Sequence, residues 1–416
     1  MQKTLAASGQ RTDRTLSLNM RLLAHHELNG FGGLGEGMAL QQCSDGRRIL
    51  WLAHESAPKN FTGVDVTDPR EPALVVQTEL PHAKVRSNSL DVSGNLMAVA
   101  YQTNEAGLKP AGFDLFDISV PETPRLLSHF DASGPHSRGV HALWFVDGQF
   151  VHMASGAADF EPHDPRDHQC YRIIDVRNPL CPVEAGRWWY PGTRVGDAEP
   201  RPKRLPEPYD MGFRAHNTNV YPQRPDRAYV AYLDGGTVVL DISDKAHPKV
   251  VSSWRHSPPA NGFTHTVLPL FERNLLVVSD ESVKDSAADW PKLVWLLDAS
   301  AEDNLLPIST LPMPEFAAFS RRGGRFGSHN LHENMPGPTS WRSEDIIIGT
   351  FFNAGVRAFD IRNPYQPREI AYYVPGAPPL SPAGAVQIND VYVDENGLLY
   401  AVDRFAGGLY ILEMEV

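Results

Sequence analysis

Residues 240–248, LDISDKAHP, join an apolar run that ends at Asp241 to a β-rich segment that starts at Pro248. Proline fixes its own backbone angle and cannot donate a hydrogen bond to a β-ladder, so this segment predicts a turn before an edge strand. The same phrase, with proline seven positions after the aspartate, recurs as VDVTDPREP (Asp65), FDISVPETP (Asp117), IDVRNPLCP (Asp175) and FDIRNPYQP (Asp360), and in a stretched form as LDASAEDNLLP (Asp298). The chain is therefore predicted to repeat one structural unit.

The spacing of the repeats favours a β-propeller. Successive aspartates lie 52, 58, 66, 57 and 62 residues apart, which is long enough for one four-stranded antiparallel sheet with its loops. Upstream of the phrase lies a hairpin pattern, as in HALWFVDGQFVHMAS, with a turn between two apolar runs. Seven such hairpins span residues 36–54, 87–101, 141–155, 216–232, 265–279, 329–350 and 389–403. We predict an all-β fold, a seven-bladed β-propeller of four-stranded antiparallel blades.

The two ends of the chain are predicted to meet in the last blade. The C-terminal segment GGLYILEMEV is followed by no fourth strand, whereas residues 20–28, MRLLAHHEL, resemble the outer strands of the other units. An N-terminal strand that closes the last blade removes open sheet edges. We assign residues 1–18 to a flexible N-terminal extension and residues 19–416 to a single propeller domain.

The phrases LDISD, FDISV, VDVTDP and FDIRNP resemble the repeats of the LVIVD-repeat β-propeller proteins. The resemblance covers most of the chain from about Gly33 onward. It implies the propeller fold, and it implies little about activity because a fold does not determine a function. Many members of the family are exported, whereas this chain shows no export signal.

Composition excludes several classes of function. The 416 residues carry 38 basic and 50 acidic side chains, a net charge of -12, which disfavours a nucleic-acid partner. No run approaches the roughly 20 apolar residues of a membrane-spanning helix, and the N-terminus lacks the features of a signal peptide, so we expect no membrane association and a cytoplasmic location. Three cysteines offer neither a disulfide scaffold nor a paired-cysteine metal site. Nucleophile-elbow, P-loop, dinucleotide and zinc-protease motifs are missing.

Four histidines occupy equivalent places at or near the start of the inner strand in consecutive units: His141, His216, His265 and His329. The corresponding positions of the other units hold residues 87–89, Asn389, and Glu36 or its neighbours. Inner strands start around the central channel of a propeller, so the four imidazoles are predicted to converge there. Such a cluster suits a divalent transition metal, namely Fe, Cu, Mn or Zn. The alternative is that each histidine is a hydrogen-bonded channel residue.

The second strand of each hairpin ends on the same face, and its last residues are the other candidates. Glu281 and His54 are the candidate catalytic groups, with Glu281 as an orienting carboxylate or general base. The candidate substrate-binding residues are Arg404, which can hold a carboxylate, together with Asp403, Tyr101, Tyr232 and Asn389. The alternatives are a solvated loop charge at Glu281 and an interblade salt bridge at Arg404.

Two loops and one aromatic cluster carry weaker predictions. Residues 191–210 form a long, Pro-rich and charged segment, which is typical of a lid or of a surface excursion. Residues 159–170, DFEPHDPRDHQC, have metal-ligand composition but are more typical of a solvated loop. The trio Trp188, Trp189 and Tyr190 fits either an exposed partner-binding patch or an outer strand packed between blades.

These observations favour a metal-dependent enzyme that acts on a small organic molecule at the mouth of the channel. The four-histidine set is similar to that of the carotenoid-cleavage oxygenases and of copper-dependent thiol-oxidising propellers, which implies oxidative chemistry if no carboxylate joins the inner cluster. One alternative is a metal-assisted lyase or hydrolase on an acidic substrate, which resembles the manganese-dependent pectate-oligomer lyases. The other is a non-catalytic propeller that binds a partner protein.

Overall fold

A computed structural model of the chain describes residues 14–30 and 33–415. Within these residues seven antiparallel β-sheets follow one another in a ring, each with its first strand at the channel. The prediction of a seven-bladed β-propeller is confirmed. The remaining regular structure consists of one four-residue helix, Phe316–Phe319, two 3-10 turns, Leu28–Gly30 and Pro165–Asp167, and a small hairpin of Ser133–Gly134 with Ser137–Arg138.

The strands of each blade run from the channel outward. Blade 1 comprises Leu34–Gln42, Arg48–His54, Lys59–Asp65 and Ala73–Glu79; blade 2 comprises Val85–Arg86 with Leu90–Ser93, Leu96–Thr103, Gly112–Asp117 and Arg125–Asp131; blade 3 comprises Val140–Trp144, Phe150–Ser155, Cys170–Asp175 and Val183–Trp188. Blade 4 comprises Thr218–Tyr221, Arg224–Ala231, Thr237–Asp241 and Lys249–Trp254; blade 5 comprises Thr264–Leu270, Leu275–Asp280, Val294–Asp298 and Leu306–Thr310. Blade 6 comprises the segment 329–332, Ile346–Thr350, Val356–Asp360 and Arg368–Val374; blade 7 comprises Ile388–Val393, Leu398–Asp403, Leu409–Met414 and Met20–His26.

The repeated aspartate shapes the turn between the third and fourth strands. In blade 4 the Asp241 carboxylate accepts a hydrogen bond of 2.9 Å from the backbone N–H of Ser243, two residues later. Such a bond closes a side-chain turn and ends the strand. The same bond is made by Asp65, Asp117, Asp175, Asp298 and Asp360. The phrase recognised in the sequence is therefore one turn repeated around the ring.

The N-terminal strand closes the propeller as predicted. Met20–His26 pairs antiparallel with Leu409–Met414 and forms the outer strand of blade 7. A second short strand, Leu16–Leu18, pairs with Arg368–Val374 at the outside of blade 6. The predicted boundary after residue 18 is therefore too late, because these residues cover a sheet edge that would otherwise be exposed. The rest of the predicted extension, residues 1–13, lies outside the described residues.

The hydrophobic core lies between neighbouring blades. Between blades 1 and 2, for example, Trp51, Phe61 and Phe116 pack edge to face with ring centroids 5.2–5.9 Å apart. Burial of such faces is the main stabilising term, and it leaves the channel free for polar side chains. None of the described helices has the length and apolar character that a membrane crossing requires.

Candidate metal centre and the channel mouth

A β-bulge at the start of each inner strand turns one side chain into the channel. In blade 3, Val140 pairs with Ser155 and Ala142 with Ala154, so His141 has no partner of its own. Blade 5 has the same irregularity at His265 and blade 7 has it at Asn389. Bulges re-aim side chains in this way and are frequent beside functional sites.

The same bulge occurs in blades 4 and 6 and, in wider form, in blade 1. The Ala231 carbonyl accepts a hydrogen bond from the N–H of His216, and the Ala231 N–H donates to the carbonyl of the residue after His216. Thr350 makes the same two hydrogen bonds with His329 and the residue after it. In blade 1 three residues centred on Glu36 lie opposite a single residue of the next strand. The bulge therefore explains why one inward position recurs around the ring at Glu36, His141, His216, His265, His329 and Asn389.

The four histidines converge on one point, and Glu36 lies at its centre. The ring centroids of consecutive imidazoles are 4.3, 4.0 and 4.5 Å apart from His141 through His216 and His265 to His329. Glu36 Oε2 lies 3.9 Å from Nε2 of both His141 and His216 and 3.5 Å from that of His265. Its other oxygen lies 3.4 Å from His329 Nε2. We call these five residues together with Glu281 the histidine cluster.

Glu281 closes the cluster on the side of blades 5 and 6. Its carboxylate oxygens lie 3.9 Å from His265 Nε2 and 3.6 Å from His329 Nε2. Arg325 donates a hydrogen bond of 2.7 Å to Glu281 Oε1, which holds that carboxylate in place. Both Glu36 and Glu281 face the imidazoles, so the condition attached to oxidative chemistry, an inner cluster without a carboxylate, is not met. Two subsets have their ligand atoms within 4.8 Å of one another: Glu36, His216 and His265, and His265, Glu281 and His329.

The outer ring nitrogens are held by oxygen acceptors. His329 Nδ1 donates to the carbonyl of Asn389 at 2.6 Å, and His265 Nδ1 lies 2.8 Å from the Thr266 hydroxyl. His216 Nδ1 lies 2.9 Å from Asn217 Oδ1, and that amide must present its oxygen because its nitrogen donates to Glu333. The bonds at His216 and His329 place a proton on Nδ1, so His216 Nε2 presents a free electron pair to the cluster. Burial opposes a charge on His329, but Glu281 and Glu36 raise its pKa above the ordinary value, which favours a second proton on its Nε2, toward the two carboxylates.

A chain of amides orients the oxygen that faces the outer nitrogen of His141. Gln169 Nε2 donates to the carbonyl of Ala215, so its oxygen accepts from Gln102 Nε2. Gln102 must then present its oxygen, which lies 3.0 Å from His141 Nδ1, and Arg86 Nη2 lies 3.3 Å from the same ring nitrogen as a donor. The inner nitrogens of His141 and His216 lie only 2.7 Å apart. Either a proton on His141 Nε2 or a cation bound by both nitrogens accounts for this distance.

The electrostatics of the cluster also suit a cation. Burial lowers the pKa of His216 to about 3 and that of His141 well below its ordinary value, so both imidazoles are neutral. Burial opposes ionisation of Glu36, but the nearby His265 and His329 hold its pKa well below the usual range. Glu36 Oε2, His265 Nε2 and His329 Nε2 are buried without a hydrogen-bond partner. Buried polar atoms are rarely left in this state.

A cavity of about 340 Å³ opens directly above the cluster. Its floor is formed by Glu36, His141, His216 and Glu281. Phe263, Met211 and Val283 contribute apolar wall, and the rest of the lining is largely cationic: Arg86, Arg138, Arg214, Lys284, Arg325 and Arg404, with Glu55, Gln102 and Gln169. The volume suits a small organic molecule.

Of the predicted catalytic pair, only Glu281 belongs to the cluster. The side chain of His54 bonds through Nε2 to the Thr62 hydroxyl of its own blade and does not line the cavity, so its assignment as a catalytic residue is corrected. The next residue, Glu55, lines the cavity instead. The predicted residue, His54, precedes by one position the residue that lines the cavity, because the strand ends at His54 and the chain turns there toward the channel.

Three predicted substrate-binding residues also have structural roles. Tyr101 accepts a hydrogen bond from Asn60 Nδ2, and the Tyr232 hydroxyl bonds to the carbonyl of Trp188. The Asp403 carboxylate accepts from four backbone N–H groups, at residues 387, 405, 406 and 407. None of the three lines the cavity, because each side chain points between blades or caps a turn.

Arg404 and Asn389 lie at the site in supporting positions. Arg404 lines the cavity but is already paired with Glu55 and bonded to Asn389 Oδ1. Asn389 is buried, and its Nδ2 donates to the carbonyls of Leu34 and Gly35, just before Glu36. Arg404 therefore fits the alternative interpretation given above, an interblade salt bridge. Asn389 joins blade 7 to blade 1 through its hydrogen bonds.

The remaining motifs have structural explanations. His332 bonds through Nε2 to the Trp341 carbonyl and does not join the cluster. The loop of residues 159–170 is held by ion pairs to the segment 191–210, such as Asp167 with Arg204. Residues 191–210 pack beside that loop and do not line the cavity, although Met211 and Arg214 directly after them do. The aromatic trio 188–190 is half-buried, with Trp188 packed against Tyr232, which fits the interblade reading.

Sequence reasoning missed the central position of Glu36 and most of the arginines. Glu36 was recognised as equivalent to the histidines but not as a ligand candidate. Arg86 and Arg214 each stand two residues before the inward position of their blade, at Asn88 and His216, and this spacing was the available signal. Asn88 itself donates to the backbone carbonyl of His141.

Comparisons with known proteins agree with the fold. The β-propeller domain of Cps50 (Swd1) from Myceliophteria thermophila superposes with a TM-score of 0.53 and 13% identity, over 91% of this chain and 96% of that one. At this identity the likeness shows the fold alone. No curated protein sequence matches the chain significantly.

The repeat itself is also recognised. A model of the LVIVD repeat matches residues 226–255, which form the outer three strands of blade 4 and contain the phrase LDISDKAHP. The chain is a seven-bladed β-propeller. It carries an LVIVD repeat in blade 4, which supports the resemblance to the LVIVD-repeat propeller proteins.

Proposed function

We propose that this propeller is a metal-dependent enzyme whose centre is the histidine cluster. One observation carries the proposal. The inner nitrogens of His141 and His216 lie 2.7 Å apart, and each lies 3.9 Å from Glu36 Oε2. Two imidazoles at neighbouring positions of one octahedral metal ion, with bonds of 2.0–2.1 Å, place their nitrogens about 2.9 Å apart. The spacing therefore fits two ligands of one ion.

The donor set favours a divalent transition metal. Imidazole nitrogen suits Fe, Cu, Zn and Ni, and carboxylate oxygen suits Mn and other hard ions. Four imidazoles together with Glu36 and Glu281 fit iron or manganese best, because these ions accept both donor types and six ligands. A divalent ion would also neutralise the two buried carboxylates, which otherwise face each other across the cluster.

The residues around the cluster have distinct roles in the proposed reaction. The ion would act as a Lewis acid or redox centre for a molecule bound in the cavity. Arg325 keeps Glu281 ionised, since that guanidinium and His329 lower the carboxyl pKa despite its burial. Glu281 can therefore accept a proton from a substrate or a water between it and the cluster. Phe263 and Met211 exclude water from one side of the cavity.

Oxidative chemistry and Lewis-acid chemistry are separated by the identity of the metal. Iron or copper would support an oxygenase or oxidase, the class implied by the resemblance of the four histidines to those of the carotenoid-cleavage oxygenases. Manganese or zinc would support a lyase or hydrolase. Glu36 in the inner cluster removes the main argument for preferring oxidation, and the cationic cavity wall gives the second class specific support.

The test is elemental analysis of protein purified without a metal-affinity tag. Wild type should contain a near-stoichiometric transition metal, and a His216→Ala, His265→Ala double variant should lose it. His152→Gln is the matched control, because His152 is also buried but bonds to Tyr171 outside the cluster. Wild-type protein without metal, before and after reconstitution, would overturn the proposal and leave a ligand-binding or protein-binding propeller.

A further inference from the structure

The cavity wall is positively charged in a chain that is acidic overall. Six cationic side chains and three carboxylates line the cavity, whereas the whole chain has a net charge of -12. The cavity lining therefore has an excess of positive charge, whereas the whole protein has an excess of negative charge. A metal ion in the cluster would increase the positive excess rather than remove it.

Three of the six cations are neutralised by the carboxylates of the wall. Glu55 pairs with Arg86 at 2.6 Å and also with Arg404, and Arg325 pairs with Glu281. These pairs use Glu55 and Glu281, and the third carboxylate of the lining, Glu36, faces the histidines instead. The pairs fix the shape of the cavity.

Arg138, Arg214 and Lys284 are the cations left over, and the first two are guanidinium groups. Arg138 donates only to the backbone carbonyl of Thr103, through Nε. Neither guanidinium forms an ion pair with any carboxylate in the part of the chain that the structure describes, and Arg214 makes no hydrogen bond there either. Both guanidinium groups line the cavity, so two positive charges without a carboxylate partner face the same space.

We propose that the cavity binds the carboxylate group of a small organic anion between Arg138 and Arg214. Guanidinium groups bind carboxylates through paired hydrogen bonds, and an anion there relieves the repulsion of the two cations. Phe263 and Met211 provide the apolar wall for the rest of the molecule. This assignment of a substrate class rests on the proposed function, because His141 and His216 line the same cavity and would present the metal to the bound anion.

A carboxylate fits better than a phosphate or sulfate. The cavity also contains the three carboxylates of Glu36, Glu55 and Glu281, which repel a dianion more strongly than a monoanionic group. The apolar wall requires an organic body. The inference therefore names a carboxylic acid, with inorganic anions as competing outcomes of the test.

The experiment is calorimetric titration of the full-length protein with the monocarboxylates benzoate, butyrate and hexanoate, with benzamide as the uncharged counterpart and sulfate and phosphate as inorganic anions. At least one carboxylate should bind with a millimolar or lower Kd, and benzamide should not. Arg214→Gln and Arg138→Gln should each weaken binding at least tenfold. Arg70→Gln, which removes an exposed arginine far from the channel, should leave it unchanged.

Three results would overturn the inference: no binding of any carboxylate, equal binding by wild type and both cavity variants, or binding of sulfate or phosphate without the carboxylates. A salt titration of wild type supplies a second readout that needs no variant, since the Kd should rise with ionic strength. Metal content is measured on the same samples. Carboxylate binding by a metal-free protein would overturn the proposed function and support the anion site. A metal-loaded protein that binds no carboxylate would support the metal centre and overturn the anion site.

Discussion

Gly37 approaches Leu90 so closely that a Cβ atom on Gly37 would lie 2.2 Å from the Leu90 backbone nitrogen. Gly35, on the other side of Glu36, has a similar approach to the carbonyl of Asn88, at 2.4 Å. The two glycines let the bulge of blade 1 sit against the backbone of blade 2. The glycines are therefore what place the Glu36 carboxylate among the four imidazoles.

Gly37→Ala should reduce metal content although it removes no ligand. The added methyl group meets backbone, which cannot yield as a flexible side chain can, so the strand and Glu36 must shift. We expect at least a tenfold loss of metal affinity, measured by competition with a chelator. Gly337→Ala is the control, because a Cβ at Gly337 meets nothing within 4 Å. Equal affinities of the two variants would show that Glu36 does not depend on this approach.

Glu36→Gln tests the carboxylate itself. The substitution keeps the size of the side chain and removes the charge that faces all four imidazoles, so metal affinity should fall by about 10–100-fold, the range seen when a partner of a metal site is removed. Glu105→Gln, at an exposed glutamate paired with Lys84, is the control. If the Glu36 variant retained the metal with wild-type affinity, the ion would be bound by the histidines and Glu281 without Glu36.

The fold and the four histidines could be predicted from the sequence because both repeat. The turn made by Asp241 and its equivalents marks every blade, and the bulge recurs at a fixed place relative to the hairpin. The alignment of hairpins therefore brought His141 and His265 to equivalent positions without any structure.

The cavity wall could not be predicted in the same way. Arg138 comes from a small extra hairpin and Arg214 follows the long loop of residues 191–210, and the course of such segments is not set by the repeat. The hairpin alignment also could not tell Glu55 from His54, because a one-residue difference at the end of a strand decides which side chain reaches the channel. Pairing of Arg404 with Glu55 joins residues 349 positions apart, which no local pattern encodes.

Asn389→Ala should destabilise the closure of the ring. The Asn389 side chain donates to the carbonyls of Leu34 and Gly35 and accepts from Arg404, so its removal leaves three buried polar groups without this partner. A lost partner of a buried group costs about 1–3 kcal/mol, and we expect a loss of at least 2 kcal/mol in the free energy of unfolding, measured with urea. Asn396→Ala, at an exposed asparagine of the same blade, should change it little. Similar losses in both variants would contradict a role of Asn389 in joining blades 7 and 1.

Asp390→Asn should stabilise the protein at high pH and leave it nearly unchanged in acid. Asp390 is buried beside the channel, its Oδ1 accepts from the N–H of Val391, and burial raises its pKa to about 8 from the 3.8 of an ordinary aspartate. Below pH 4 the carboxyl is protonated in both the folded and the unfolded chain. As the pH rises from 4 to 8, the unfolded chain releases this proton while the folded chain retains it, so this group lowers stability progressively.

Asparagine resembles the protonated carboxyl and does not titrate, so the variant should escape this loss. Its free energy of unfolding should exceed that of wild type by at least about 1.4 kcal/mol at pH 8, the value of one pKa unit, with a much smaller difference at pH 4.5. Both proteins are unfolded with urea after treatment with a chelator, so that no metal charge shifts the carboxyl. Asp303→Asn, at an exposed aspartate, provides the baseline. A difference between the Asp390 variant and wild type that stays constant from pH 4.5 to pH 8 would mean that the folded chain does not keep the proton on Asp390, and that this part of the channel is more polar than its burial implies.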